Sequence, residues 1–141
     1  MSPQQKIPLA PGYQVAPAAR IKQATGLPTI AVGLIIAQLR GIAAGDAFVR
    51  SGAWAAGEMP LGRKVSGKRF GVLGLGRIGH AVADRLAPFG PVGYFARAPK
   101  AAPFEHFATP TALAQWADVL VVATAANAET AGLVDAALLT V

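Results

Sequence analysis

Three glycines that follow a short apolar segment constrain the fold of this 141-residue chain more than any other feature. Residues 69–73 predict a β-strand, Gly74, Gly76 and Gly79 come next, and apolar residues then recur at helical spacing. In such a strand–turn–helix the glycines permit a tight turn, a close backbone approach to a ligand, and close packing of helix on strand. Amides at the helix N-terminus attract an anion. The segment predicts a pyrophosphate site, with a ligand-free tight turn as the alternative.

The rest of the chain predicts a parallel sheet. Residues 92–95 and 118–124 are apolar strand candidates, and the second is apolar without alternation, as expected of a strand covered on both faces. Residues 97–109 contain two prolines and predict a loop, after which Thr109 is a candidate N-cap for a short helix. The strand–helix–strand–helix–strand order predicts an α/β fold, namely the first βαβαβ half of a Rossmann-type domain.

The N-terminal part of the chain is read differently. Residues 1–26 are rich in Pro, Gln and Ala, and we expect them to be poorly ordered, whereas residues 27–141 are predicted to form a partial dinucleotide-binding domain. Residues 28–49 predict a long helix, called the linking helix below, and Gly41 is a candidate for a break in it. The first half of this helix is apolar almost all round, which predicts a buried helix.

Composition excludes several classes of function. The chain has no cysteine and two histidines, so disulfide scaffolds, zinc–thiolate sites and cysteine nucleophiles are excluded. The longest apolar run is shorter than the roughly 20 residues of a membrane span, and we expect a cytoplasmic protein with no membrane contact. The net charge is +6. This charge is compatible with a solvated basic face, with attraction of a phosphorylated cofactor or with nucleic-acid binding. Because no nucleic-acid-binding motif accompanies the charge, we expect no nucleic-acid partner.

Two further strand ends bear on the choice of cofactor. An NAD site usually has Asp or Glu about 20 residues beyond the glycines, to bind the ribose hydroxyls. Here Ala96 and Arg97 occupy that place and Lys100 is close behind, which favours NADP(H) over NAD(H) because cations can pair with the 2′-phosphate. An ordinary surface role for Arg97 is the alternative. Thr124 and Ala125 end the third strand and are predicted to line the cofactor, although Thr124 could instead bond its own backbone.

With these motifs in place, residues 27–139 resemble the NAD(P)-binding domain of the D-isomer-specific 2-hydroxyacid dehydrogenases, especially the glyoxylate/hydroxypyruvate reductase branch. The matching segments are 31–37 with Arg40, 48–54, 62–68, 74–79, 94–97 and 118–122 followed by Glu129 and Thr130. The resemblance implies that Arg77 and Ile78 touch the pyrophosphate, that Arg97 contacts the 2′-phosphate of NADP, and that residues 124–126 border the cofactor. It also implies reduction of small 2-oxo acids to 2-hydroxy acids.

The same resemblance implies that parts of the enzyme are missing. The family's substrate domain lies mostly before the linking helix, and its catalytic Arg, Glu and His lie after the third strand, beyond Val141. We therefore expect a chain truncated at both ends that binds the cofactor without catalysing the reaction. The alternative is a non-catalytic NADP(H)-binding or interaction module, or an inactive remnant. His80 and His106 are read as surface or packing residues.

The expected truncation has a consequence for association. Without a second half of the sheet, residues 69–73 would form an open apolar edge, and the linking helix would lack a partner for its apolar face. We expect self-association through the linking helix or the open sheet edge.

Overall fold

A computed structural model describes residues 28–141, so the expectation that residues 1–26 are poorly ordered concerns residues outside this range. The described part begins with helices α1 (Pro28–Arg40) and α2 (Ile42–Arg50) and a 3₁₀ turn at Ala53–Ala55. The predicted break is confirmed at Gly41, whose φ of 64° is the left-handed conformation that glycine adopts most easily.

Helix α1 is not the buried helix that its sequence predicts. Ile30 and Leu34 are largely exposed, and among the described residues of the helix only Leu39 is buried. One face, including Val32 and Ile35, packs against the core. Within residues 28–141 no single helix is long and apolar enough to cross a membrane, and α1 with α2 pass that test only as a pair bent by 52°.

A four-stranded parallel sheet forms the centre of the fold, which confirms the predicted α/β Rossmann-type architecture. Its strands are β1 (Phe70–Leu73), β2 (Val92–Phe95), β3 (Glu105–Phe107) and β4 (Val119–Val122), in the order β3-β2-β1-β4. The helices between and after them are α3 (Arg77–Leu86), α4 (Pro110–Trp116) and α5 (Ala136–Leu139). Thr109 caps α4 as predicted, because its hydroxyl accepts a hydrogen bond of 3.1 Å from the Ala112 amide.

The prediction of a loop over residues 97–109 is wrong, because this segment contains strand β3. Its residues Glu105 and His106 are polar and it is only three residues long, so no apolar run marked it. The strand predicted third is therefore β4, the fourth strand along the chain, and it pairs with β1 in the register Phe70↔Val119. The prediction that residues 69–73 form an open edge is also wrong, since β1 is hydrogen-bonded on both sides.

Among the described strands, β4 instead forms an edge of the sheet. Three of its residues are partly buried, and Val122 is 54% exposed. Val119 and Val121 pack against the core on one face of the sheet and Leu120 packs against the core on the other face, so within the described part of the chain the predicted coverage of both faces is partial. Within the described residues, the backbone groups of β4 are unpaired along the side away from β1.

The core occupies both faces of the sheet. Phe70, Val72 and Tyr94 are buried on the side of α3, whereas Leu73 packs with Leu113 of α4 on the other side. This division follows from the alternation of side chains along a strand. Helix α3 buries Gly79, Val82, Ala83 and Leu86. Ile78 is half exposed because it lies in the first turn of α3, beyond the end of β1.

Candidate cofactor site

The turn from β1 into α3 requires glycine at two positions. Gly74 has a φ of 93°, and a Cβ there would lie 2.9 Å from the Thr124 methyl carbon. A Cβ at Gly79 would lie well under 3.0 Å from the carbonyl oxygen of Gly74, closer than real Cβ contacts allow. These two glycines therefore allow the tight turn and the close packing of α3 on it, which are the roles that their spacing predicts.

Gly76 differs from these two because it faces open space. Its backbone is extended (φ −80°, ψ −169°), and a Cβ added there would meet no atom within 4 Å. It is also the N-cap residue of α3, and no side chain caps the helix. The first amides of α3 consequently lack a capping partner beside an open backbone surface, which fits an anion such as a phosphate group.

A cleft of about 600 Å³ opens at the carboxyl ends of β1, β2 and β4. It brings together six of the predicted site residues, which are Gly74, Gly76, Ala96, Arg97, Thr124 and Ala125. Three predicted residues do not line it: Arg77 and Ile78 are exposed in the first turn of α3, and Gly79 is buried against Gly74. A cleft at this end of a parallel sheet is where ligands of doubly wound folds bind.

Charged groups of both signs meet at one wall of the cleft. The Arg97 Nη1 donates a 2.6 Å hydrogen bond to the Glu129 Oε2, and the two side chains are 85% and 68% exposed. Lys100 also lines the cleft. Sequence reasoning found no acid near Arg97 because Glu129 follows 32 residues later and reaches the cleft only through the pairing of β4 with β1.

A buried tyrosine holds the segment that carries Lys100. The Lys100 amide donates to the Tyr94 hydroxyl at 2.7 Å, and this hydroxyl donates in turn to the Lys100 carbonyl at 3.3 Å. The ring is almost fully buried and packs on His106 at 5.1 Å between centroids. Tyr94 therefore fixes the chain path after β2. Sequence reasoning missed this role, because an apolar strand pattern does not reveal where a hydroxyl points.

The segment after β4 is ordered by its own side chains. The Asn127 Oδ1 accepts from the amides of Glu129 (3.0 Å) and Thr130 (3.1 Å), and the Thr130 hydroxyl donates to the Ala125 carbonyl. Within the described residues, the Thr124 hydroxyl has no hydrogen-bond partner, so the alternative in which it bonds its own backbone is not observed. The spacing of Asn127 and Thr130 was the available sequence signal for this turn.

Other titratable groups lie outside the cleft lining. At the opposite ends of the strands, Asp118 accepts from the Arg69 side chain (3.3 Å) and from the Arg69 amide (2.8 Å), and these hydrogen bonds hold the pKa of the carboxyl below its usual value. The His80 Nδ1 lies 3.1 Å from Asp84, and the His106 Nε2 lies 3.2 Å from the Ala96 carbonyl. Both histidines occupy surface or packing positions.

Comparison with known proteins identifies relatives of this fold and cleft. The chain is 44% identical over 108 residues to a hydroxyphenylpyruvate reductase of Plectranthus scutellarioides, covering 75% of this chain and 34% of that protein. It is 40% identical to a 2-ketogluconate reductase of Gluconobacter oxydans, with 75% and 35% covered. The chain thus spans about a third of the length of these relatives.

Solved structures give the same result. A 2-hydroxyacid dehydrogenase from Ketogulonicigenium vulgare matches with a TM-score of 0.67 and 46% identity, over 72% of this chain and 33% of that one. An NADPH-dependent glyoxylate/hydroxypyruvate reductase from Sinorhizobium meliloti, solved with NADP and malonate, matches with a TM-score of 0.73 and 32% identity, over 80% and 37%. The family model described as the NAD binding domain of D-isomer specific 2-hydroxyacid dehydrogenase matches residues 32–141. The chain therefore belongs to the D-isomer specific 2-hydroxyacid dehydrogenase family, of which it carries the dinucleotide-binding domain.

Proposed function

We propose that residues 27–141 bind the family's dinucleotide with the pyrophosphate over Gly76 and the adenosine ribose beside Arg97, and that NADP(H) is preferred over NAD(H). The observation that carries the proposal is the open backbone surface of Gly76 at the uncapped start of α3, on the wall of the 600 Å³ cleft. Arg97 and Lys100 supply positive charge at that wall, which favours a 2′-phosphate. When bound, the nicotinamide supplies or accepts a hydride.

For the whole protein we propose the reduction of small 2-oxo acids, such as glyoxylate or hydroxypyruvate, to 2-hydroxy acids. The support is the set of relatives named as reductases, one of them an NADPH-dependent glyoxylate/hydroxypyruvate reductase. For this chain we propose cofactor binding without turnover. Mixing the chain with NADPH and glyoxylate should give binding and no oxidation of NADPH, whereas steady oxidation would contradict the proposal.

The cofactor preference can be tested by calorimetric titration with NADP⁺ and NAD⁺. Arg97→Ala should weaken NADP⁺ binding by roughly 10- to 100-fold, because a hydrogen bond to a charged group contributes about 1.5–3 kcal/mol, and should change NAD⁺ binding little. Arg50→Ala is the matched control, since Arg50 is likewise an exposed arginine paired with a carboxylate, that of Asp46. Equal losses for both cofactors would refute the preference, and no binding of either to the wild type would refute the proposed site.

The intact mass of the native polypeptide separates the reductase from its alternative. A longer chain that carries a catalytic arginine, glutamate and histidine supports the reductase. A native chain of this length, binding NADP⁺ without turnover, supports the non-catalytic binding or interaction module. Cytoplasmic location and the lack of nucleic-acid and membrane partners stay predictions.

We also propose that the chain self-associates. Helices α1 and α2 and the following turn expose large apolar side chains, namely Ile30, Leu34, Ile42, Val49 and Trp54, and β4 adds a strand edge in place of the one predicted at residues 69–73. Light scattering after size exclusion should give a mass above that of the monomer, and Leu34→Glu should lower it. A monomer at all concentrations would contradict association.

A further inference from the structure

We propose that Glu129 is a specificity-determining residue, which competes with the 2′-phosphate of NADP for Arg97 and so moderates the preference for that cofactor. This inference rests on the proposed function of the cleft. Its basis is the 2.6 Å ion pair between the Arg97 Nη1 and the Glu129 Oε2 at the cleft wall.

The carboxylate and the phosphate need the same donors. A guanidinium binds either anion through N–H groups that point in fixed directions, so an Arg97 held by Glu129 has fewer donors to offer a phosphate. The pair is weak enough to open, because both side chains are largely exposed and water screens their attraction. A 2′-phosphate that binds the Arg97 Nη1 must therefore displace the Glu129 carboxylate.

Opening the pair leaves the carboxylate near the cleft. The Glu129 amide is bonded to Asn127, and the Thr130 hydroxyl is bonded to the Ala125 carbonyl, so the backbone of this segment is held independently of Arg97. A displaced carboxylate consequently stays within reach of Arg97 and continues to compete with the phosphate for it. A ligand with a free 2′-hydroxyl does not experience this competition.

The test uses adenosine 2′,5′-bisphosphate and adenosine 5′-monophosphate, which differ by the 2′-phosphate, titrated calorimetrically at low ionic strength, where screening is weakest. Glu129→Gln should tighten binding of the bisphosphate by about three- to fivefold and change binding of the monophosphate by less than about twofold. Glu105→Gln is the matched control, because it removes the same charge from an exposed glutamate of β3 that does not line the cleft. In an Arg97→Ala background the gain from Glu129→Gln should fall below about twofold.

Each outcome tests either the role of Glu129 or the proposed function of the cleft. If the wild type binds the bisphosphate and Glu129→Gln does not tighten it, the role of Glu129 is overturned while the cofactor site stands. Equal gains from Glu129→Gln and Glu105→Gln, or a full gain without Arg97, likewise overturn it, because net charge then explains the effect. If the wild type binds neither nucleotide nor NADP⁺, the proposed function fails, and this inference fails with it.

Discussion

Replacing Gly79 with alanine would place a methyl group against the backbone of the turn between β1 and α3. The added carbon would lie under 3.0 Å from the Gly74 carbonyl oxygen and 3.1 Å from the carbonyl carbon. Gly74 cannot swing aside freely, because its φ is 93° and it packs against Thr124. Overpacking of this kind costs about 1–3 kcal/mol, and the better helix propensity of alanine returns about 1 kcal/mol. Because a backbone oxygen cannot move aside as a flexible side chain can, the overpacking cost lies near the upper end of that range, and we expect Gly79→Ala to lower the free energy of unfolding by about 2 kcal/mol.

Gly33 in α1 is the matched control, because an added Cβ there would meet nothing within 4 Å. Gly33→Ala should raise the free energy of unfolding by about 0.5–1 kcal/mol, so the two variants should differ by roughly 2.5–3 kcal/mol. Urea unfolding followed by circular dichroism measures both, provided that the slope with denaturant is unchanged. A Gly79→Ala variant as stable as the wild type would refute the steric reasoning, as would a Gly33→Ala variant that loses as much stability as Gly79→Ala.

Three further outcomes are expected. Gly76→Ala should have a free energy of unfolding within about 0.5 kcal/mol of the wild type, because its methyl group enters open space. The variant should nevertheless bind NADP⁺ at least about tenfold more weakly by calorimetry, because the pyrophosphate is proposed to occupy that space. Tyr94→Phe removes the hydroxyl that bonds both backbone groups of Lys100 and should cost about 1 kcal/mol in urea unfolding. Asp118→Asn should cost about 1 kcal/mol at pH 7. Because hydrogen bonds from Arg69 lower the pKa of Asp118 in the folded protein, this difference should close as the pH falls below the ordinary value of 3.8, and a constant difference would contradict it.

Local features of the chain could be predicted from the sequence without knowledge of the tertiary structure. The glycine spacing after β1, the break at Gly41 and the N-cap at Thr109 each depend on a few neighbouring residues and their backbone preferences. The prediction that the first half of α1 is buried was wrong, because an apolar helix is buried only where neighbouring residues cover it. Ile30 and Leu34 are exposed on a face that no described residue covers.

Strand order depended on a segment with no apolar signal. Strand β3 is short and partly polar, and it takes the outer place beside β2 because its backbone pairs there in the register Gly93↔Glu105. With β3 beside β2, β4 pairs with the other side of β1. A pattern of apolar residues therefore finds strands but does not order them when one of them lacks the pattern.

By itself, the sequence determined the family, the parallel α/β fold and the turn that faces the cleft, because each of these depends on residues that are close together along the chain. Only the tertiary structure decided that β1 is central, that Tyr94 holds Lys100 and that Glu129 pairs with Arg97. The last contact joins residues 32 positions apart, after strands that become neighbours of β1 on opposite sides. Their proximity arises from hydrogen bonding between strands, which no local spacing encodes.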